Sequence, residues 1–220
     1  MSLFEKSSGE GKVKGELEYF GLGDWWLSTF NEEERSYLEQ SYGCGDIGVG
    51  VGGDQRLTQG QISYTSRSSV DALTGMIGAL RGKPEYLHLV QLIIQEAERG
   101  EDGSAIDLHF LYAIALNVTY PLRDRHPDAL EMAIDACKRQ ISIAPQAADM
   151  FKKREMSEEE AYRSFGACLP AHEGYTRLLI LYEKEKRYSK AIQLAQQAKS
   201  QGWAGNWDWR IARCEKKLRK

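Results

Sequence analysis

The sequence predicts an all-α protein in which antiparallel helix pairs follow a glycine-rich N-terminal segment, and three observations carry that expectation. Of the 21 glycines, 15 lie in residues 1–84 and only 6 in the remaining 136, so the two parts have different backbones. All five prolines, Pro84, Pro121, Pro127, Pro145 and Pro170, stand where one apolar stripe ends or the next begins, as helix punctuation does. Between them the apolar residues recur at steps of three and four, the period of one helical face. With 220 residues, 42% of them hydrophobic and 28% charged, the chain can bury a core and has a globular composition. The expected division is an N-terminal segment over 1–67, holding one helix and a glycine-rich loop docked on the rest, and a helical domain over 68–220.

In chain order, Trp25, Trp26, Leu27 and Phe30 form an aromatic docking cluster, and Asn31 with Glu34 is a capping pair for a helix through Tyr37 and Leu38 to about Tyr42. Residues 43–62 read as a loop, with Val49, Val51 and Ile62 to Tyr64 able to form at most a short hairpin. Ser68 or Ser69 caps a helix through Val70, Leu73, Ile77 and Leu80. After Pro84 the stripe Leu89, Val90, Ile93, Ile94, Ala97 predicts its antiparallel partner, ending near Gly100. Ser104, with Asp107 three residues on, starts the next helix, with Leu108, Leu111, Ala115 and Val118 on one face and Pro121 closing it. Pro127 opens a third with Leu130, Ile134, Cys137 and Ile141 inward, ended by Pro145. A shorter segment runs through Phe151, and Ser157-Glu158-Glu159-Glu160 is a capping box for a helix to about Ala167.

The last fifty residues are the most informative. Tyr175, Leu178, Leu179 and Tyr182 make one stripe, and after the polar turn Glu185-Lys186-Arg187 the residues Tyr188, Ala191, Ile192, Ala195 and Ala198 make another. Helices joined by so few residues pack antiparallel, and alanines at 191, 195 and 198 allow a close approach. Gly202 stops the second helix, and a final one carries Trp207, Ile211, Cys214 and Leu218. Trp203, Trp207 and Trp209 read as rings that seal the end of the array, with an exposed aromatic hot spot for a protein partner as the alternative.

The pattern Tyr175-x2-Leu178-Leu179-x2-Tyr182-x8-Ala191-x3-Ala195-x2-Ala198 resembles the tetratricopeptide repeat, in which large residues of a first helix pack on small residues of a second. It departs from that pattern at Leu179, where a small residue is usual, and at Gly202-Trp203, where a proline is. The resemblance covers about 34 residues. It implies helix pairs stacked as a right-handed superhelix, and a scaffold for protein–protein interaction whose first helices line a concave groove. On this repeat the groove positions are Thr176, Ile180, Glu183 and Lys184, and the partner is a protein or peptide. The lysine and asparagine set by which some such domains clamp a peptide carboxylate is absent.

Lys plus Arg total 29 against 32 Asp plus Glu, a net charge of -3, which offers a polyanion no overall attraction, so no nucleic-acid partner is expected. Only the last sixteen residues are basic, six cations against Asp208 and Glu215, as suits a helix C-terminus. Leu57-Thr58-x3-Ile62 followed by Ser66-x-Ser68-Ser69-Val70 weakly matches a helix-turn-helix, with only Arg56 and Arg67 for phosphates and Gly60 inside its first helix. Gly43-Cys44-Gly45-Asp46-Ile47-Gly48 has the letters of a phosphate-cradling turn, but lacks the strand before it and the helix after it. An enzyme or small-ligand binder would have to use that loop. The histidines His88, His109, His126 and His172 stand far apart at expected surface or edge positions, and no nucleophile–base pair, cofactor site or metal site is expected. Cys44, Cys137, Cys168 and Cys214 have no CxxC spacing and read as reduced structural thiols. No apolar run reaches the roughly 18 residues of a membrane span, and Met1 to Gly9 carries no apolar leader core, so the expected location is cytoplasmic.

Overall fold

Three helices begin in the same way, because the first free amides of a helix need acceptors that only a side chain can supply. Asn31, Ser68 and Ser104 each accept from the backbone amide three residues on, and Glu34, Asp71 and Asp107 each reach back to the cap amide. Each such cap is worth about 1 kcal/mol. The structure, a computed structural model, describes residues 13–43, 55–156 and 169–219 and is mostly helical, with little strand. Two compact units divide it, residues 1–66 and 67–220.

In the first unit, α1 (Gly15–Tyr19), α2 (Gly23–Thr29) and α3 (Glu32–Ser41) bury Leu17, Trp26, Phe30, Leu38 and Tyr42, with Leu57 from a 3-10 turn at Gln55–Leu57. The aromatic cluster before Asn31 is itself helical, so with α1 this segment holds three helices among the described residues where the sequence predicts one. Trp26 and Phe30 turn inward while Leu27 stays 40% exposed. Gly15 sits at φ 67°, and a Cβ there would lie 2.2 Å from the carbonyl oxygen of Arg56. Only glycine lets the amides of Lys14 and Gly15 donate to the carbonyls of Thr58 and Gly60 at 3.3 and 3.2 Å. Ile62 to Tyr64 form no strand, and Tyr64 is 80% exposed. Val49, Val51 and most of the glycine run lie outside the described residues.

The second unit comprises α4 (Ser69–Ala79), α5 (Leu89–Arg99), α6 (Ala105–Thr119), α7 (Ala129–Ser142), α8 (Ala144–Met156), β1 (Leu169–Ala171), α9 (Glu173–Lys184), α10 (Tyr188–Gln201), β2 (Trp203–Ala204) and α11 (Trp207–Leu218). α6 is apolar nearly all round, as befits a helix that packs on α4, α5, α7, α8 and α9. The Ser69 amide and hydroxyl both donate to Asp102, at 2.7 and 2.5 Å, which ties the start of α4 to the turn before α6.

α7 corrects the expected face. Leu130 is 37% exposed and Ile134 and Ile141 are half-buried, whereas Ala129, Met132, Ala133, Ala136, Cys137 and Gln140 point inward. A helix between two neighbours, here α6 and α9, gains more from close backbone approach over alanines than from bulk on one side. Pro145 sits in the first turn of α8, where its missing amide costs nothing. The capping box at Ser157–Glu160 lies outside the described residues.

β1 and β2 pair in parallel, Leu169 opposite Trp203, an element with too few residues for any alternation to show in sequence. Around it lies one core of Ala144, Ala147 and Ala148 from α8, Tyr175 and Leu179 from α9, Ala191, Ala195 and Ala198 from α10, and Trp203, Trp207 and Cys214. The rings of α9 and the alanines of α10 therefore share a core. Gly202 ends α10 in the left-handed region at φ 92°, and α11 packs on α10.

Candidate functional site

α9 places Thr176, Ile180, Glu183 and Lys184 on successive turns, and α11 places Trp209, Arg210 and Arg213 within one. The structure brings Ile180, Glu183 and Lys184 together with those three residues of α11 around an open cavity of about 460 Å3. Thr176, nearer the start of α9, is outside that lining among the described residues. Of the three clustered tryptophans, Trp203 and Trp207 are buried at 2% and 4%, as expected of core rings, whereas Trp209 is 55% exposed. Their role is therefore split. The Trp207 Nε1 donates to the carbonyl of Trp203 at 2.7 Å, so the buried pair is fixed by a hydrogen bond.

The electrostatics of the cavity are set by one sunken carboxylate. Glu183, with a side chain only 10% exposed, pairs with the guanidinium of Arg213, lies 3.9 Å from that of Arg210, and accepts from the Cys214 thiol at 3.3 Å. Arg210 also donates to Asn206 at 2.9 Å. Arg213 lies 4.6 Å over the ring of Trp209, a cation–π contact. Burial and then Glu183 push the Cys214 thiol up to about 11, so it is protonated and unreactive at neutral pH. Cys137 is likewise a buried free thiol, pushed up to about 12 by burial. Cys44 and Cys168 lie outside the described residues.

Two histidines are not where the sequence reading put them. His109 on α6 and His172, the N-cap of α9, are 2% and 0% exposed, with ring centroids 5.0 Å apart. His109 stacks flat on Trp203 at 5.1 Å, and His172 meets the same indole edge-on at 4.7 Å. Gln140 of α7 locks the arrangement, donating to the carbonyl of His109 at 2.9 Å and accepting from the amide of Gly174 at 2.7 Å. His172 Nδ1 accepts from the amide of Tyr175 at 3.3 Å, which assigns its proton to Nε2. His172 Nε2 and His109 Nδ1 have no hydrogen-bond partner. Burial pulls His109 down to about 4, and burial reinforced by repulsion from His109 pulls His172 down to about 3, so both are neutral at pH 7. One signal could have placed His109 inside: Leu108, Phe110 and Leu111 around it leave α6 no polar face. No signal marks His172, since histidine is an uncommon cap.

The other two histidines, His88 and His126, meet Glu85, Asp128 and Glu131 around a polar cavity of about 430 Å3. Among the described residues no group of three or more His, Cys, Asp or Glu is arranged to hold a metal ion. The phosphate-turn letters from Cys44 to Gly48 lie outside the described residues. The helix-turn-helix reading is overturned, because residues 58–67 form no helix and Gly60 takes φ 80°, where the first helix would need right-handed backbone. No described helix is long and apolar enough to cross a membrane. No protein-family model, no curated protein and no solved structure matches the chain.

Proposed function

We propose that this protein is an interaction scaffold of the tetratricopeptide-like type, cytoplasmic, with antiparallel helix pairs stacked as a right-handed superhelix and a protein or peptide as its partner. One observation carries the reading. The cavity between α9 and α11 is lined by an exposed indole, an aliphatic side chain and three cations, of which Lys184 and Arg213 are exposed and Arg210 is 14% exposed, the composition of a docking site for a chain segment. The packing of Tyr175 and Leu179, with the partly buried Tyr182, against the cluster of Ala191, Ala195 and Ala198, across a connection of only Glu185, Lys186 and Arg187, supports the repeat architecture.

The test is selection of binding peptides from a displayed random 12-residue library on the immobilised full chain, followed by a counter-screen on the Ile180→Asp, Lys184→Glu double variant. Both positions lie away from the buried core, so the variant retains its far-UV circular dichroism. Enriched peptides should lose at least tenfold in affinity for it. Peptides that bind both proteins alike, or no enrichment at all, would refute the assigned groove.

A further inference from the structure

Resting on that reading of the groove, we infer that its occupant is an acidic protein segment in which carboxylates flank a large apolar side chain. The cavity is lined by three cations, Lys184, Arg210 and Arg213, and one anion, Glu183. The anion does not face a ligand: its side chain is 10% exposed and lies against Arg213 and the Cys214 thiol at the cavity floor. Lys184 is exposed and pairs with no group among the described residues. Positive charge continues from the groove along α11, where Lys216 and Lys217 are exposed and outnumber the exposed Glu215, and the exposed Asp208 is paired at 2.6 Å with Lys199. The surface reaching an incoming chain is therefore cationic at its edges and apolar at Ile180 and Trp209.

That combination selects a peptide over a nucleic acid. Strands without sequence preference are held by successive stacking rings. Here a single indole lines the cavity, Arg213 already covers one of its faces, and Ile180 offers no π surface. A carboxylate suits the guanidinium fork of Arg213 and the point charge of Lys184, while a leucine or phenylalanine beside it covers Ile180 and the open part of Trp209.

The test uses the full chain and three fluorescein-labelled probes: a 12-residue peptide alternating Glu or Asp with Leu and Phe, the same peptide with Lys at every acidic position, and a 12-nucleotide oligothymidylate. Anisotropy titrations are run at 50 and 500 mM NaCl with the wild type, Lys184→Glu and Trp209→Ala. The acidic peptide should bind at least tenfold more tightly than the other two, weaken at least fivefold at high salt, and weaken at least fivefold in each variant. If the lysine peptide binds as well and loses affinity in Trp209→Ala, the groove docks peptides but the acidic assignment falls. If oligothymidylate binds most tightly, the partner class falls. If neither variant changes binding of any probe, the inference and the groove reading fall together.

Discussion

Acidification should unfold this protein through His109 and His172, and the size of the effect follows from where the two rings sit. Each imidazole has an ordinary value of 6.5, and the folded values are about 4 for His109 and about 3 for His172. A folded value below the unfolded one means that the unfolded chain takes up the proton first. Stability is therefore fully present above about pH 7, falls as the pH drops through 6.5, and goes on falling until His109 protonates near 4 and His172 near 3. Between pH 7 and pH 5 each ring contributes a loss of about 2 kcal/mol, roughly 4 kcal/mol for the pair, a large share of the about 5–15 kcal/mol available to a domain. Carboxylates also respond in this range, so the assay needs a matched control. His109→Phe keeps a ring on Trp203, and His172→Asn keeps an oxygen to accept from the Tyr175 amide. Urea unfolding followed by far-UV circular dichroism at pH 7, 6 and 5 should show the wild type losing about 4 kcal/mol more than the double variant over that span. Equal pH slopes in the two proteins would refute the reasoning, because the buried rings would then titrate as they do in the unfolded chain.

Three further outcomes are expected. Ala195→Leu forces extra volume into a position 1% exposed between α9, α10 and α11, and should cost about 1–3 kcal/mol, seen as a melting temperature several degrees lower, while exposed Gln196→Leu stays within about 0.5 kcal/mol of the wild type. Lys186 takes φ 59° where the turn after α9 closes, with the Arg187 amide donating to the carbonyl of Tyr182 at 2.8 Å, so Lys186→Gly should raise stability by about 0.5–1 kcal/mol in the same urea assay. A lower midpoint would show that side-chain contacts of Lys186 outweigh its backbone strain. Glu183→Gln removes the charge that two guanidinium groups share. Because Arg213 is 44% exposed, solvent discounts the pair, and the expected loss is about 1–2 kcal/mol, with no loss at all contradicting the account of the cavity floor.

The helices were legible where a rule of local chemistry acts alone. Ser104 with Asp107, and Asn31 with Glu34, mark helix starts because the first amides need acceptors, and both boxes form. Gly202 marks a helix end because the backbone there turns left-handed, at φ 92°. What could not be read is which neighbour a face meets. On α7 the bulky stripe Leu130, Ile134, Ile141 mimics a core face, yet the alanine side turns inward because α7 lies between α6 and α9. The same limit hid the histidine cluster. A ring on α6, a cap on α9 and an indole on β2 come from segments with no common period, and only the packing around Gln140 shows that they meet. Of the expected groove, Ile180, Glu183 and Lys184 line one cavity, but the residues facing them on α11 came from a stretch read as core and as a charged helix end.

Glu183 shows why the two halves of this site depend on one another. A carboxylate on the inner side of α9 loses hydration, and it is tolerated because Arg213, Arg210 and Cys214 supply partners from α11. Those same contacts hold Arg213 4.6 Å over the ring of Trp209, an indole that is 55% exposed instead of folded onto the core. An apolar residue at 183 could pack as well or better, since buried ion pairs are often no more stable than hydrophobic substitutes. It could not, however, hold two long cationic side chains in place beside an exposed ring. The charge on α9 is therefore better explained by the orientation it imposes on α11 than by any stability it adds, and the geometry of the cavity follows from that orientation.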